Sequence, residues 1–342
     1  MQVKTNRRLA LLALPLSLAL LASACGDDDD TGGSDGGGGG EETEDLSGQT
    51  VSITGSSTVA PISELVGEDF ATETGAEVTV DDPGTGDGFV EFCEGGADIS
   101  DASRAIDEEE IAACEAAGVE YVELKVGFDG MAVMTGPGND AVECLNFADL
   151  YALTGPESTG FANWSDAQAI ASELGSSTTF PDEALDLTGP GPESGTYDSF
   201  IEIALADSIE ARGQEETTRS DYSASAEDNT ILANVEASDF SLGWVGFAFA
   251  DQAGEAVKIL DVAAEPDGEC ITPDAETIAS GDYPLSRSLY IYVNTANADE
   301  NPAVAGYVDF YLSDLAGFVE AADYVALPDD QAAETQSAWD GR

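Results

Sequence analysis

The chain has 342 residues, with 69 Asp and Glu against 10 Lys and Arg, no histidine, five cysteines and 42% hydrophobic residues. That length suggests two domains and that hydrophobic share supports a buried core, so the formal charge of −59 belongs to a folded surface and not to a disordered acidic tail. The charge excludes nucleic acid, whose recognition needs clustered cations, and the missing histidine removes Ser-His-Asp and Cys-His catalysis and the commonest zinc ligand.

At the N-terminus, Lys4, Arg7 and Arg8 precede an apolar run over residues 9–21, which is short for a membrane span and suits the core of an export signal. Leu21-Ala22-Ser23-Ala24-Cys25-Gly26 follows, resembling a bacterial lipobox, although Leu21 stands four and not three residues before the cysteine. Cleavage before Cys25 is expected to leave a lipid-modified N-terminus, giving residues 1–25 as a lipoprotein signal peptide. Residues 26–48, with four consecutive Asp, a Gly run and no apolar periodicity, read as an acidic, Gly-rich tether kept extended by self-repulsion. Acidity spread over the remaining body resembles proteins of high-salt habitats, where the screening length falls to about 3 Å at 1 M. Stability is therefore expected to depend on salt; composition alone leaves other origins of an acidic surface open.

From residue 50 onward, short β-rich runs alternate with helical runs, predicting an α/β protein. Residues 51–53 read as a strand, then Gly55-Ser56-Ser57-Thr58-Val59-Ala60-Pro61, then Ile62, Leu65, Val66 and Phe70 at helical spacing. Val78 and Val80 mark a second strand, Gly84-Thr85-Gly86-Asp87-Gly88 a second turn, and residues 89–93 the next helix start. Leu185 and Leu187 precede a third turn, Gly189 to Tyr197 through Ser194-Gly195-Thr196, leading into Phe200, Ile201, Ala204 and Leu205. Each turn puts hydroxyls and small residues where a helix start leaves N–H groups unpaired beside a partial positive charge, which is an anion site. Any one of them alone reads more readily as a helix cap; three together favour an anion.

Asp98-Ile99-Ser100-Asp101-Ala102-Ser103-Arg104 then sets a cation beside serine. Arg219 and Arg287 also stand in Ser-rich surroundings, and an arginine fork holds tetrahedral oxyanions in bidentate fashion. Arg104 ranks first as an anion ligand, Arg219 second, and Arg287 reads as a structural ion-pairing residue. Of the remaining cysteines, Cys93, Cys114, Cys144 and Cys270, none has metal-site spacing. Three disulfide pairings are open; proximity in sequence favours Cys93–Cys114, leaving Cys144–Cys270. No cofactor or metal is expected.

Taken in order, the turn at Gly55 to Pro61, the turn at Gly84 to Phe89, the Asp98 to Arg104 stretch, Phe128-Asp129-Gly130 and Glu193-Ser194-Gly195-Thr196-Tyr197 resemble the periplasmic phosphate-binding proteins (PstS family) of phosphate ABC transporters, in their lipoprotein form. The resemblance implies a type II periplasmic binding protein fold, with two α/β lobes, two hinge crossovers and a ligand cleft. Crossings are expected within residues 126–133 and 283–290, with lobe 1 formed by residues 49–130 and 286–342 and lobe 2 by residues 131–285. Neither expected disulfide would then tie the lobes together.

Carried over by motif, phosphate contacts fall on Thr58 and the Val59 amide, Thr85, Ser194, Gly195 and Thr196. The turns add Ser57 and Gly86, and Ser103, Arg104 and Arg219 complete the expected set. In relatives an aspartate after the second turn accepts the phosphate proton; its place here falls on Ser103, so Asp101 or Asp129 is expected to serve. The arginine that precedes Ser-Gly-Thr in some relatives is replaced near Pro190. The implied partners are inorganic phosphate, ABC permease subunits and a membrane reached through Cys25, with the body monomeric. Two rivals remain. One is another oxyanion such as sulfate, molybdate or phosphonate; the other is a phosphate-ester hydrolase using Ser57 or Ser194, for which a lysine, Lys125 or Lys258, or a nearby carboxylate would have to serve as base.

Overall fold

The computed structural model describes residues 45–192 and 194–342. The signal peptide, Cys25, residues 26–44 of the expected tether and Glu193 of the third turn lie outside the described residues. Where the described chain begins, the expected tether is already anchored. Leu46 is buried against the core and its N–H donates to Thr74 O at 2.9 Å, so residues 45–48 belong to the body and the tether boundary moves toward the N-terminus. A lone leucine among acids is enough to dock the segment.

The N-terminal elements are β1 (Thr50–Gly55), α1 (Ala60–Thr74), β2 (Glu77–Asp81), α2 (Thr85–Cys93), β3 (Ile99–Ala102), α3 (Glu108–Ala117) and the long β4 (Tyr121–Thr135). Next come β5 (Cys144–Asn146), α4 (Phe147–Thr154), α5 (Gln168–Glu173), β6 (Asp186–Gly189), α6 (Gly195–Phe200), a π-helical turn over Ile201–Leu205, α7 (Ala206–Arg212), β7 (Ser223–Ala224), α8 (Asp228–Glu236), β8 (Ser241–Gly246) and α9 (Phe247–Ala253). The chain closes with β9 (Lys258–Ile259), β10 (Asp261–Ala263), α10 (Ala275–Ser280), β11 (Ser286–Asn294), α11 (Thr295–Glu300), α12 (Pro302–Ser313), α13 (Leu315–Ala321), β12 (Val325–Ala326) and α14 (Asp329–Asp340).

One strand joins two sets of pairings. Residues 121–130 of β4 pair antiparallel with β11, which itself pairs with β3, and the order β2-β1-β3-β11-β4 makes one half of the sheet. From Met131 onward β4 pairs instead with β8, giving β4-β8-β6-β7 as the other half. The return path crosses at the same level, where Met131 N–H donates to Leu285 O at 2.9 Å just before β11 begins. From Val126 to Thr135 every residue of β4 is buried, as a strand covered on both faces must be. Helices flank the sheet: α1 begins with Pro61 in its first turn and ends at Gly75, whose φ of 77° supplies the left-handed cap.

Residues 99–102 of the Asp98 to Arg104 motif form β3, so that Ser103 and Arg104 follow the strand. One local reading changes. The second glycine turn is mostly helix, since α2 starts at Thr85 and not at residue 89. The reason is packing: a Cβ on Gly88 would lie 2.3 Å from Gly55 Cα, so glycine here permits helix on strand and is not a helix breaker. The disulfides join Cys93 with Cys114, between α2 and α3, and Cys144 with Cys270.

Candidate functional site

The first turn is held by its own serine. Ser56 N–H donates to Asp101 O at 2.9 Å, Ser56 Oγ accepts the Thr58 N–H at 3.2 Å, and Ser56 O accepts the N–H groups of Val59 and Ala60. This leaves Thr58 with its hydroxyl buried at the start of α1. It also occupies the Val59 amide, at 3.1 Å from Ser56 O, so that the amide expected to reach the anion already has a partner.

The second turn is laid against the first, with Gly84 N–H donating to Gly55 O at 2.8 Å. No side chain caps α2, and the N–H groups of Thr85, Gly86 and Asp87 have no acceptor within the helix. Thr85 Oγ1 accepts the Ser103 N–H at 3.2 Å and lies 3.0 Å from Ser103 Oγ, which pins the end of β3 to this helix start.

The third turn comes from the other half of the sheet. Ser194 Oγ caps α6 by accepting the Thr196 N–H at 3.2 Å, which engages the Thr196 amide, and Gly195 presses on the first turn. A Cβ on Gly195 would sit 3.4 Å from both Ser57 O and Thr58 Cα. The three helix starts thus meet. A cavity of about 470 Å³ lies between Ser57, Gly84, Ser194, Gly195, Asp198 and Glu202. A neighbouring cavity of about 620 Å³ is lined by Thr85, Gly86, Ser103, Arg104, Glu202 and Arg287.

Arg287 lies at the centre of the polar network between them. Its Nη2 donates to Thr58 Oγ1 at 2.8 Å and to Ser199 Oγ at 2.5 Å, its Nε faces Asp129 Oδ2 at 3.4 Å, and its Nη1 pairs with Glu202. Ser199 Oγ lies 2.8 Å from Asp129 Oδ2 and 2.8 Å from Gly195 O, and its single proton serves one of them. Ser199, Glu202 and the role of Arg287 were not read from the sequence. Ser199 stands four residues after Gly195 and so on the same helical face, a signal present but weak. Asp198, on the cavity wall, has its carboxyl raised above the usual range by burial first and by Glu202 second, with the Ser57 hydroxyl opposing.

The other expected residues divide. Arg104 reaches the wall of the larger cavity, 44% exposed, with its guanidinium held bidentate by Glu110 at 2.6 and 2.8 Å. Arg219 does not join the cluster. It is buried beside β7, donating to Asp221 at 2.6 and 2.9 Å and to Phe161 O at 2.8 Å, because a guanidinium removed from water takes the nearest carboxylate. Asp101 also faces away. Its Oδ1 accepts from Ser63 of α1 at 2.9 Å, whereas Ser103 turns to α2. The two do not share a face because β3 ends at Ala102 and the chain bends there. Asp129 is therefore the carboxylate of the pair that stands in the cluster.

Known proteins resemble the chain over most of its length. Residues 40–314 match the PBP superfamily domain. The chain is 31% identical over 287 residues to the phosphate-binding protein PstS of Staphylococcus epidermidis, covering 83% of this chain and 81% of that one. It belongs to the PstS family.

SphX of a Synechocystis strain is 35% identical over 292 residues, covering 84% of this chain and 81% of its own. The crystal structure of a possible phosphate-binding protein from Planctomyces limnophilus superposes with a TM-score of 0.78 at 33% identity, over 86% of this chain and 99% of that one. This PstS-family chain accordingly has the type II binding-protein fold. Among the described residues no group of acids and cysteines is arranged to hold a metal ion, and no helix is long and apolar enough to cross a membrane. Lys258 is bonded to Asn139 O, Val142 O and Glu143, and Lys125 lies over the rings of Phe128 and Tyr290. Both amines are therefore engaged away from Ser57 and Ser194.

Proposed function

We propose that this chain binds inorganic phosphate in the cleft between its two sheet halves and delivers it to the permease of an ABC transporter. The reading is carried by the meeting of three helix starts from both halves, at Thr58, at Thr85 and at Ser194-Gly195, around contiguous cavities. Oriented amides and hydroxyls bind a tetrahedral oxyanion without adding full charge. Ser57, Gly86, Ser103, Arg104 and Thr196 complete the contacts, and Asp129 accepts the ligand proton. Distant surface acids are screened beyond about 10 Å at 0.1 M salt, while each charge-assisted bond at contact contributes roughly 1.5 to 3 kcal/mol, so local donors outweigh the global field.

In this reading residues 49–130 and 286–342 move against residues 131–285 about the two crossings, and closure presents the surface that the permease recognises. Each disulfide stays within one lobe and leaves the hinge free. The N-terminal segment exports the body and anchors it to the outer face of the membrane through lipid on Cys25, and the body acts as a monomer. Equilibrium binding of radiolabelled phosphate, with sulfate and arsenate as competitors, tests the reading. Saturable binding that a tenfold excess of sulfate leaves in place supports it, and displacement by sulfate overturns phosphate as the ligand.

A further inference from the structure

We infer that Arg287 is the guanidinium that meets the anion in the cleft, and that Glu202 is an internal counter-ion which the anion displaces from it. The inference rests on the phosphate reading above and names how that site exchanges its ligand. Arg287 is the cation at which the lobes and both crossings come together: Thr58 belongs to the first turn, Ser199 and Glu202 to the α6 side, Asp129 to the outgoing crossing strand, and Arg287 itself to the returning one. Arg104 is held by Glu110 on its own segment and Arg219 by Asp221, so neither spans the cleft.

The partners of Arg287 are unequal. Asp129 is 3% exposed and also takes part in the Ser199 contact, so it is built into the floor. Thr58 and Ser199 are buried and neutral, and they align the fork without neutralising it. Glu202 differs on each count: its side chain is 54% exposed, it carries charge, and it lies on the walls of both cavities. A half-exposed carboxylate on an arginine that is 13% exposed is the partner most easily exchanged, because water takes it back at little cost. A tetrahedral oxyanion arriving at Nη1 replaces one set of charge-assisted bonds by another and adds contacts to the helix starts.

The backbone supports this placement. Glu202 is the second residue of the π-helical turn Ile201–Leu205, which interrupts the helix that starts at Gly195. A π turn changes the phase of the side chains after it, and such turns occur frequently at functional sites. The helix that offers its N-terminus to the anion thereby also carries the carboxylate that holds the anion's place.

Phosphate titration calorimetry on the unsubstituted protein and four variants decides the matter. Glu202→Gln keeps the shape and removes the charge, and it should bind phosphate about tenfold more tightly than the unsubstituted protein. Glu64→Gln, on the wall of the smaller cavity without a bond to Arg287, should change affinity less than twofold, which separates displacement from a general field effect. Arg287→Gln should weaken binding at least tenfold, and adding Glu202→Gln to it should give no further gain. Arg287→Lys serves as the second variant should Arg287→Gln fail to melt cooperatively. Unchanged or weaker binding by Glu202→Gln, an equal gain from Glu64→Gln, or a gain that persists without Arg287 overturns the inference while leaving phosphate binding standing. Absence of phosphate binding by the unsubstituted protein overturns both.

Discussion

Gly88 of α2 lies on Gly55 of β1 so closely that a Cβ on Gly88 would approach Gly55 Cα to 2.3 Å and Gly55 N to 3.0 Å. This contact brings the start of the second helix beside the end of the first strand, and so sets the second anion-facing turn next to the first. Both neighbours are backbone and have no rotamer by which to yield. Gly88→Ala should therefore destabilise the fold by about 1 to 3 kcal/mol, the usual cost of overpacking. Urea denaturation checks this; an unchanged midpoint would mean that the helix shifts freely, and the close approach would then not be what aligns the turns.

Gly195 provides the matching test from the other lobe. A side chain added there would face Ser57 O and Thr58 Cα, and the site needs donors there, not charge. Gly195→Asp should abolish phosphate binding by placing a carboxylate where the anion's oxygens are drawn, with the variant still folding. Calorimetric affinity within threefold of the unsubstituted protein would remove the third turn from the site.

Asp101 predicts a pH dependence of stability. Burial, with a smaller push from Glu64 and an opposing hydrogen bond from Ser63, raises its carboxyl to about 8. In the unfolded chain an aspartate titrates near 3.9. Between the two values the folded state binds more protons, so this contribution is complete below about pH 4 and is lost progressively as pH rises toward 8. Asp101→Asn should melt above the unsubstituted protein at pH 8, with the difference shrinking as pH falls to 4. Scanning calorimetry at three pH values checks it, and a difference independent of pH would contradict the assignment.

Arg219 is expected to matter for stability and not for binding. Its guanidinium is buried, with Asp221 and Phe161 O as partners, and loss of that fork leaves a partly buried carboxylate without its counter-charge. Arg219→Met should cost about 2 kcal/mol, below the usual range for a fully buried pair because Asp221 is partly exposed. Phosphate affinity should stay within twofold. A tenfold loss of affinity with unchanged stability would return Arg219 to the site.

The local chemistry was legible because it is written in consecutive residues. Glycine, serine and threonine between a β-rich run and a helical run mark each helix start at Thr58, Thr85 and Ser194, since the unpaired amides of a first turn follow from helix geometry alone. Cysteine count and spacing likewise indicated the pairs Cys93–Cys114 and Cys144–Cys270. What lay beyond the sequence was the choice among chemically equal candidates. Arg104, Arg219 and Arg287 all stand beside serine, yet Arg287 alone of these meets Thr58, from which it is separated by 229 positions. Asp101 and Asp129 are both buried carboxylates, and one bend after Ala102 together with the path of β4 turned the first toward Ser63 and the second toward Ser199. A residue's type fixes which bonds it can make. Long-range packing, through the pairing of β4 with β11 and the approach of α6 to the first turn, decides which partners come within reach.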